Sequence, residues 1–184
     1  MLSREEALSL VKENVKTPNL IKHMLAVEAI MRRCAEYLGD DADKWGLLGL
    51  VHDIDFESTK DVPDKHGILS EKILFGKVSE EILRAVKSHN SEHTDVMPES
   101  NMENCLIAAD AVSGLIIASA LIVPSKRLVD VKVESLIKKF KEKDFARNCS
   151  RENILYCEKI GIKMNEFLKI SLEALKEIAI DLEL

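Results

Sequence analysis

TPNLIKHMLAVEAIMRRCAEYLG, residues 17–39, decides the fold class. Thr17 and Pro18 have the form of an N-cap followed by the favoured first-turn proline. Leu20, Met24, Val27, Met31, Cys34 and Leu38 then recur at alternating steps of four and three, so one apolar stripe should run along a helix ending near Gly39. Working outward, a second helix is expected after Asp40 or Asp41, carrying Trp45, Leu48, Val51 and His52 and breaking into the acidic stretch DIDFESTKD. The pair His52-Asp53 therefore sits where a helix ends.

Further along, Pro63 is expected to open a helix through about Phe75, and Ser79 to cap the next, with Glu80 and Glu81 at the positive end of its dipole. NSEHTDVMPESN, residues 90–101, has loop composition. An apolar helix from about Met102 to Ile122 should stop before Pro124. Beyond the turn PSKRLVD, short helices are expected near Lys132–Phe140 and Arg151–Ile160, and a final amphipathic one from about Lys163.

No repeat or flexible linker divides the 184 residues, so a single all-α domain is expected, with a motif-bearing core over about 17–122 and packing helices over about 132–184. A formal net charge of −6 argues against general nucleic-acid binding, which needs excess Lys and Arg against the phosphates. Cys34, Cys105, Cys149 and Cys157 lack zinc-ribbon spacing and read as reduced thiols. The first residues, MLSREEALSLVKEN, lack the apolar core of a signal peptide, and a cytoplasmic location is expected. The apolar stretch 105–123 contains Asp110, and a central aspartate costs roughly 2.5 to 3.5 kcal/mol in a membrane, so a core helix is the better reading.

Four of the five histidines, His23, His52, His66 and His89, fall on separate expected helices. His89 follows Ile82, Ala85 and Val86 at helical intervals, so it should point inward with them and needs a polar partner there. Asp110 is the only charged residue between Cys105 and Pro124, where an unpaired carboxylate would be costly. A buried Arg or Lys, a proton or a metal ion would each answer it, and imidazoles with carboxylates make a standard site for Zn, Fe or Mn. Adjacent helical residues point about 100° apart, so His52 and Asp53 can reach two ions or straddle one.

The order His23, His52-Asp53, Asp110, in the contexts LLGLVHDID and LIAADAVSGL, resembles the HD superfamily of metal-dependent phosphohydrolases over about Thr17 to Ile122. That resemblance implies an HD-type helical bundle with His23, His52, Asp53 and Asp110 around one metal. It also implies that His66 and His89 complete a second site and that Asp53 bridges the two ions. Two divalent ions (Fe, Mn, Mg, Zn or Ni) would then activate water against a small phosphorylated substrate such as a nucleotide, cleaving a phosphomonoester or phosphodiester. Asn90 follows His89 where the cyclic-dinucleotide branch has paired histidines and a GYP signature, and IDFES does not reproduce the ED pair of the alarmone hydrolases.

His93 is a candidate general acid, Lys126, Arg127 and Asn90 are candidate substrate contacts, and Lys65 and Ser113 lie near proposed ligands. The alternatives are an HD-type di-iron oxygenase, which iron-dependent oxygen uptake would reveal, and a catalytically silent regulatory domain, which a single enclosed metal would favour.

Overall fold

The computed structural model describes residues 2–184, and no strand occurs among them. Thirteen helices follow one another: α1 (Arg4–Asn14), α2 (Pro18–Leu38), α3 (Ala42–Val51), α4 (Phe56–Thr59), α5 (Ile68–Leu74), α6 (Glu80–Ser88), α7 (Ser91–Thr94), α8 (Asn101–Ile122), α9 (Val133–Lys141), α10 (Arg151–Ile154), α11 (Tyr156–Lys159), α12 (Met164–Glu177) and α13 (Ala179–Leu182). This is the all-α bundle expected of an HD-type domain.

Local chemistry accounts for several of the ends. α2 begins at Pro18 and stops at Gly39, whose φ of 74° is the left-handed conformation that glycine adopts without strain. Asp41 caps α3 by accepting from the Lys44 backbone N–H at 3.0 Å. Thr17 does not cap α2 with its side chain, because its hydroxyl donates to Glu57 at 3.0 Å instead. The expected helix from Pro63 to Phe75 is interrupted: Pro63–Lys65 form a 3-10 turn, and Gly67, at φ 84°, re-aims the chain before α5. α1, fixed by a reciprocal capping box between Ser3 and Glu6, has no counterpart among the sequence expectations. Part of the expected 90–101 loop is helical, as α7.

α8 is the axis of the bundle. Its mean hydropathy of 2.2 would suit a membrane span, but two-thirds of that window is buried inside the domain, against α2, α6 and α9 to α12. The most extensive helix pairing is α2 against α3. There Gly49 lets the backbones approach closely, since a Cβ on it would stand 2.9 Å from the Cα and N of Glu28. Those three helices bring their ligand-bearing segments to one face of the bundle.

Candidate metal centre

Each proposed ligand comes from a different part of this frame. His23 lies in the second turn of α2, His52 caps the C-terminus of α3, and Asp53 follows in the next turn. His66 ends the 3-10 turn, His89 caps the C-terminus of α6, and Asp110 is midway along α8. Asp53 is the hub. Its Oδ1 lies 3.5 Å from His52 Nε2, 3.3 Å from His66 Nε2 and 3.4 Å from His89 Nε2, while its Oδ2 lies 3.7 Å from His23 Nε2.

The donor atoms form two groups, His23–His52–Asp53 and Asp53–His66–His89, each with all its atoms within 4.8 Å of one another. The two groups share Asp53 alone. Asp110 Oδ1 stands 3.1 Å from His23 Nε2 and closes the first group on its outer side.

The far nitrogen of every ring is already committed. His52 Nδ1–H donates to the Gly49 carbonyl at 2.8 Å, and His89 Nδ1–H donates to the Val86 carbonyl. Both acceptors lie three residues upstream, at a helix C-terminus where carbonyls lack intrahelical partners. His66 Nδ1–H donates to Asp55 Oδ1 at 2.8 Å. Ser113 Oγ–H donates to the Asp110 carbonyl at 2.8 Å and so accepts from His23 Nδ1–H at 3.2 Å.

With Nδ1 committed as a donor, each imidazole would present an Nε2 lone pair to the space around Asp53 once that nitrogen has given up its proton. His52 Nε2 is buried with no hydrogen-bond partner, and the Nε2 atoms of His66 and His89 face each other at 2.9 Å. Two lone pairs at that distance require a cation or a proton between them. The donor set of neutral imidazoles and carboxylates fits divalent ions on these grounds.

The charges agree. Burial pushes the His52 ring down, towards its neutral, ligating form. Burial would lift the Asp53 carboxyl, but His52, His66 and His89 outweigh it and hold it well below the usual range. In the metal-free chain burial also opposes a charge on His66, yet Asp53 and Asp55 prevail and raise it from 6.5 to about 9.

That pairing stabilises the fold fully below pH 6.5 and is lost as pH rises through about 9. The metal-free chain should therefore melt at progressively lower temperature across that window, and His66→Gln should flatten the slope. Metal affinity should climb over the same window as the competing proton leaves. Calorimetric melting of wild type and variant in a chelator checks the first two statements, and an unchanged slope in the variant would refute the assignment.

A cavity of about 400 Å³ opens over the centre, faced by His23, Asp53, His66, His89 and Asp110 and completed by Leu20, Phe56 and Asn90. His52 is fully enclosed beneath it. The Asp110 side chain is 39 % exposed, so it faces the mouth of the cavity rather than the greasy interior expected of it. α8 is apolar on every face, and its sequence therefore does not reveal which side meets the cleft.

Other expected residues are not brought to the centre. Lys126 and Arg127 follow α8 at its far end, about 18 Å of helix beyond Asp110, and line no part of the cavity. His93 is exposed on α7, with its Nδ1–H donating to Asn90 Oδ1 at 3.1 Å, and it too lies outside the lining. Asn90 does line the cavity, but its amide N–H groups are spent on the carbonyls of Pro63 and His66, both at 3.0 Å. It braces the His66 segment. Lys65 is exposed and pairs with Asp64. Asp55 and Phe56 are the residues that sequence reasoning passed over, since neither type stands out within an acidic loop.

The HD domain family profile matches residues 20–115. Among curated relatives, Ribonuclease Y of Pseudothermotoga lettingae is 31% identical over 172 residues, covering 90% of this chain and 33% of the relative. Ribonuclease Y of Thermosipho melanesiensis is 31% identical over 146 residues, 73% of this chain and 26% of the relative. The same enzyme of Oleidesulfovibrio alaskensis is 31% identical over 98 residues, 52% of this chain and 18% of the relative. The chain thus spans a third or less of the length of these relatives. No solved structure matches it.

Proposed function

The chain belongs to the HD domain family, and from that premise we propose that it is a metal-dependent phosphohydrolase acting on a nucleotide or another small phosphate compound. The observation that carries the reading is the shared orientation of the rings: four imidazoles present Nε2 to one carboxylate, in two groups that could each hold an ion. Two divalent ions bound there would supply Lewis acidity towards the phosphoryl oxygens and a water acidified to a pKa of about 7. What the chain contributes is geometry and exclusion. Asp53 fixes the spacing of the two groups, the enclosed His52 and His89 seal the floor, and Asp110 and His23 border the side that is open to substrate.

The lining supports the size of the substrate. Among the described residues no Lys or Arg lines the cavity, so phosphate charge there would be met by the ions alone. Phosphodiester cleavage is the chemistry in the name of the Ribonuclease Y relatives, and we extend it to this chain alongside phosphomonoester cleavage.

The test is an anaerobic substrate panel with Mn²⁺: a nucleoside monophosphate, a dinucleotide, a single-stranded oligoribonucleotide and their nitrophenyl analogues. Metal-dependent turnover of the small esters, abolished by chelation, is expected. Oxygen uptake with Fe²⁺ and no hydrolysis of any ester would replace this reading with the oxygenase alternative.

A further inference from the structure

The geometry points to Asp55 as the positioning residue of the second metal group, acting through His66 by fixing which ring nitrogen holds the proton. This rests on the two-group reading of the centre and not on the reaction proposed for it, so the two can fail separately. Asp55 is completely buried, two residues after Asp53, in the turn that leaves α3. Its Oδ1 accepts from His66 Nδ1–H at 2.8 Å. Its Oδ2 accepts from the backbone N–H groups of Gly67 at 2.9 Å and Ser70 at 2.8 Å.

The carboxylate therefore ties the ring of His66 and the start of α5 to one point. The Phe56 ring meets His66 edge-on, with centroids 5.4 Å apart, and restricts its tilt from the other side. A carboxylate behind an imidazole ligand sets the tautomer and raises the basicity of the ligating nitrogen, and losing such a partner typically weakens metal binding by about 10- to 100-fold.

The other three histidines rely on neutral oxygens, two backbone carbonyls and the Ser113 hydroxyl, for the same task. His66 alone has a charged partner at its far nitrogen. It is also the ligand whose segment is least regular, held between a 3-10 turn and a glycine at positive φ, where no helical carbonyl is supplied. The turn that carries the shared ligand Asp53 thus also carries the group that orients a ligand of the second ion.

Asp55→Asn separates orientation from folding. The amide oxygen can still accept from Gly67 and Ser70, which leaves the NH₂ facing His66 Nδ1. That nitrogen must then accept, and the ring proton moves to Nε2, where an ion would sit. Calorimetric titration of the full chain with Mn²⁺ is expected to show two ions in wild type. The Asp55→Asn variant should keep the first and bind the second about 10- to 100-fold more weakly, with the helical content of wild type and a metal-free melting temperature that is lower only below about pH 9, where the Asp55–His66 charge pair is lost.

Two wild-type-strength ions in the variant would overturn the proposal, and so would a wild-type chain that takes up only one. Should the variant fold poorly, the wild-type chain loaded with Zn²⁺ decides. Long-range ¹H–¹⁵N spectra must show His66 ligating through Nε2 with a downfield, slowly exchanging Nδ1–H, and ligation through Nδ1 sinks the idea.

Discussion

Asp53→Ala is expected to strip the protein of both ions and to lower turnover of any ester substrate by about 10⁴-fold or more, the scale on which removal of a central member of a catalytic set acts. Asp53 is the one residue common to both donor groups, and its two oxygens reach toward all four imidazoles at 3.3 to 3.7 Å. Without it the second group keeps two nitrogens and no carboxylate, the first keeps two nitrogens and only the partly exposed Asp110 on its outer side, and imidazoles alone attract hard divalent ions weakly.

Asp110→Ala should cost less metal, since that carboxylate is partly exposed and approaches His23 alone among the four rings at ion-pair distance. Elemental analysis after gel filtration, set beside turnover, reads both effects. Retention of two ions by Asp53→Ala would show that the four rings converge on something other than a shared carboxylate, and the proposed function would go with it. Chelation of wild type should reproduce the variant's inactivity, and restored metal should rescue wild type alone.

Much of this was legible beforehand, for identifiable reasons. Helical spacing located α2, α3, α6 and α8, and turn chemistry located their ends at Gly39, Asp41, Ser79 and Val123, because these signals are local. The ligand order could be read because His52-Asp53 at a helix end and a lone acid in an apolar helix both demand an explanation. What escaped depends on contacts distant in sequence.

Asp55 is one of several acids between residues 53 and 64, and only the return of the chain at Gly67 gives it His66 and two N–H groups to bind. Lys126 and Arg127 looked near Asp110 because a turn follows α8, whereas the helix itself carries them away from the cleft. His93 is four residues from His89, but Asn90 turns α7 outward between them. One signal was available and unused. A histidine that caps a helix can donate to the carbonyl three residues before it, and both His52 and His89 do.

Gly49→Ala should cost about 2 kcal/mol of stability, equivalent to a fall of roughly 4 to 8 °C in melting temperature, although alanine is the better helix former by about 1 kcal/mol. The added methyl would lie 2.9 Å from the Cα and N of Glu28 and from the carbonyl carbon of Val27, all of them backbone atoms that no rotamer change can move. α3 must therefore lift away from α2. Gly114→Ala is the fitting comparison, because its methyl meets only the Cys149 side chain, at 2.7 Å, and a thiol can turn aside.

The displacement has a chemical consequence as well. Gly49 supplies the carbonyl that orients His52, and α2 carries His23, whose ring centroid lies 5.3 Å from that of His52. Moving one helix against the other separates His23 from His52 and so opens the first donor group, whereas the second keeps its two rings together and feels the shift only through Asp53 and Asp55. Binding of the first ion should weaken by at least about tenfold, with the second group less affected. Denaturant melts and Mn²⁺ titration of both glycine variants would measure this. If Gly49→Ala matched wild type in stability and in both affinities, the close crossing of α2 and α3 would lose its role in setting the metal centre.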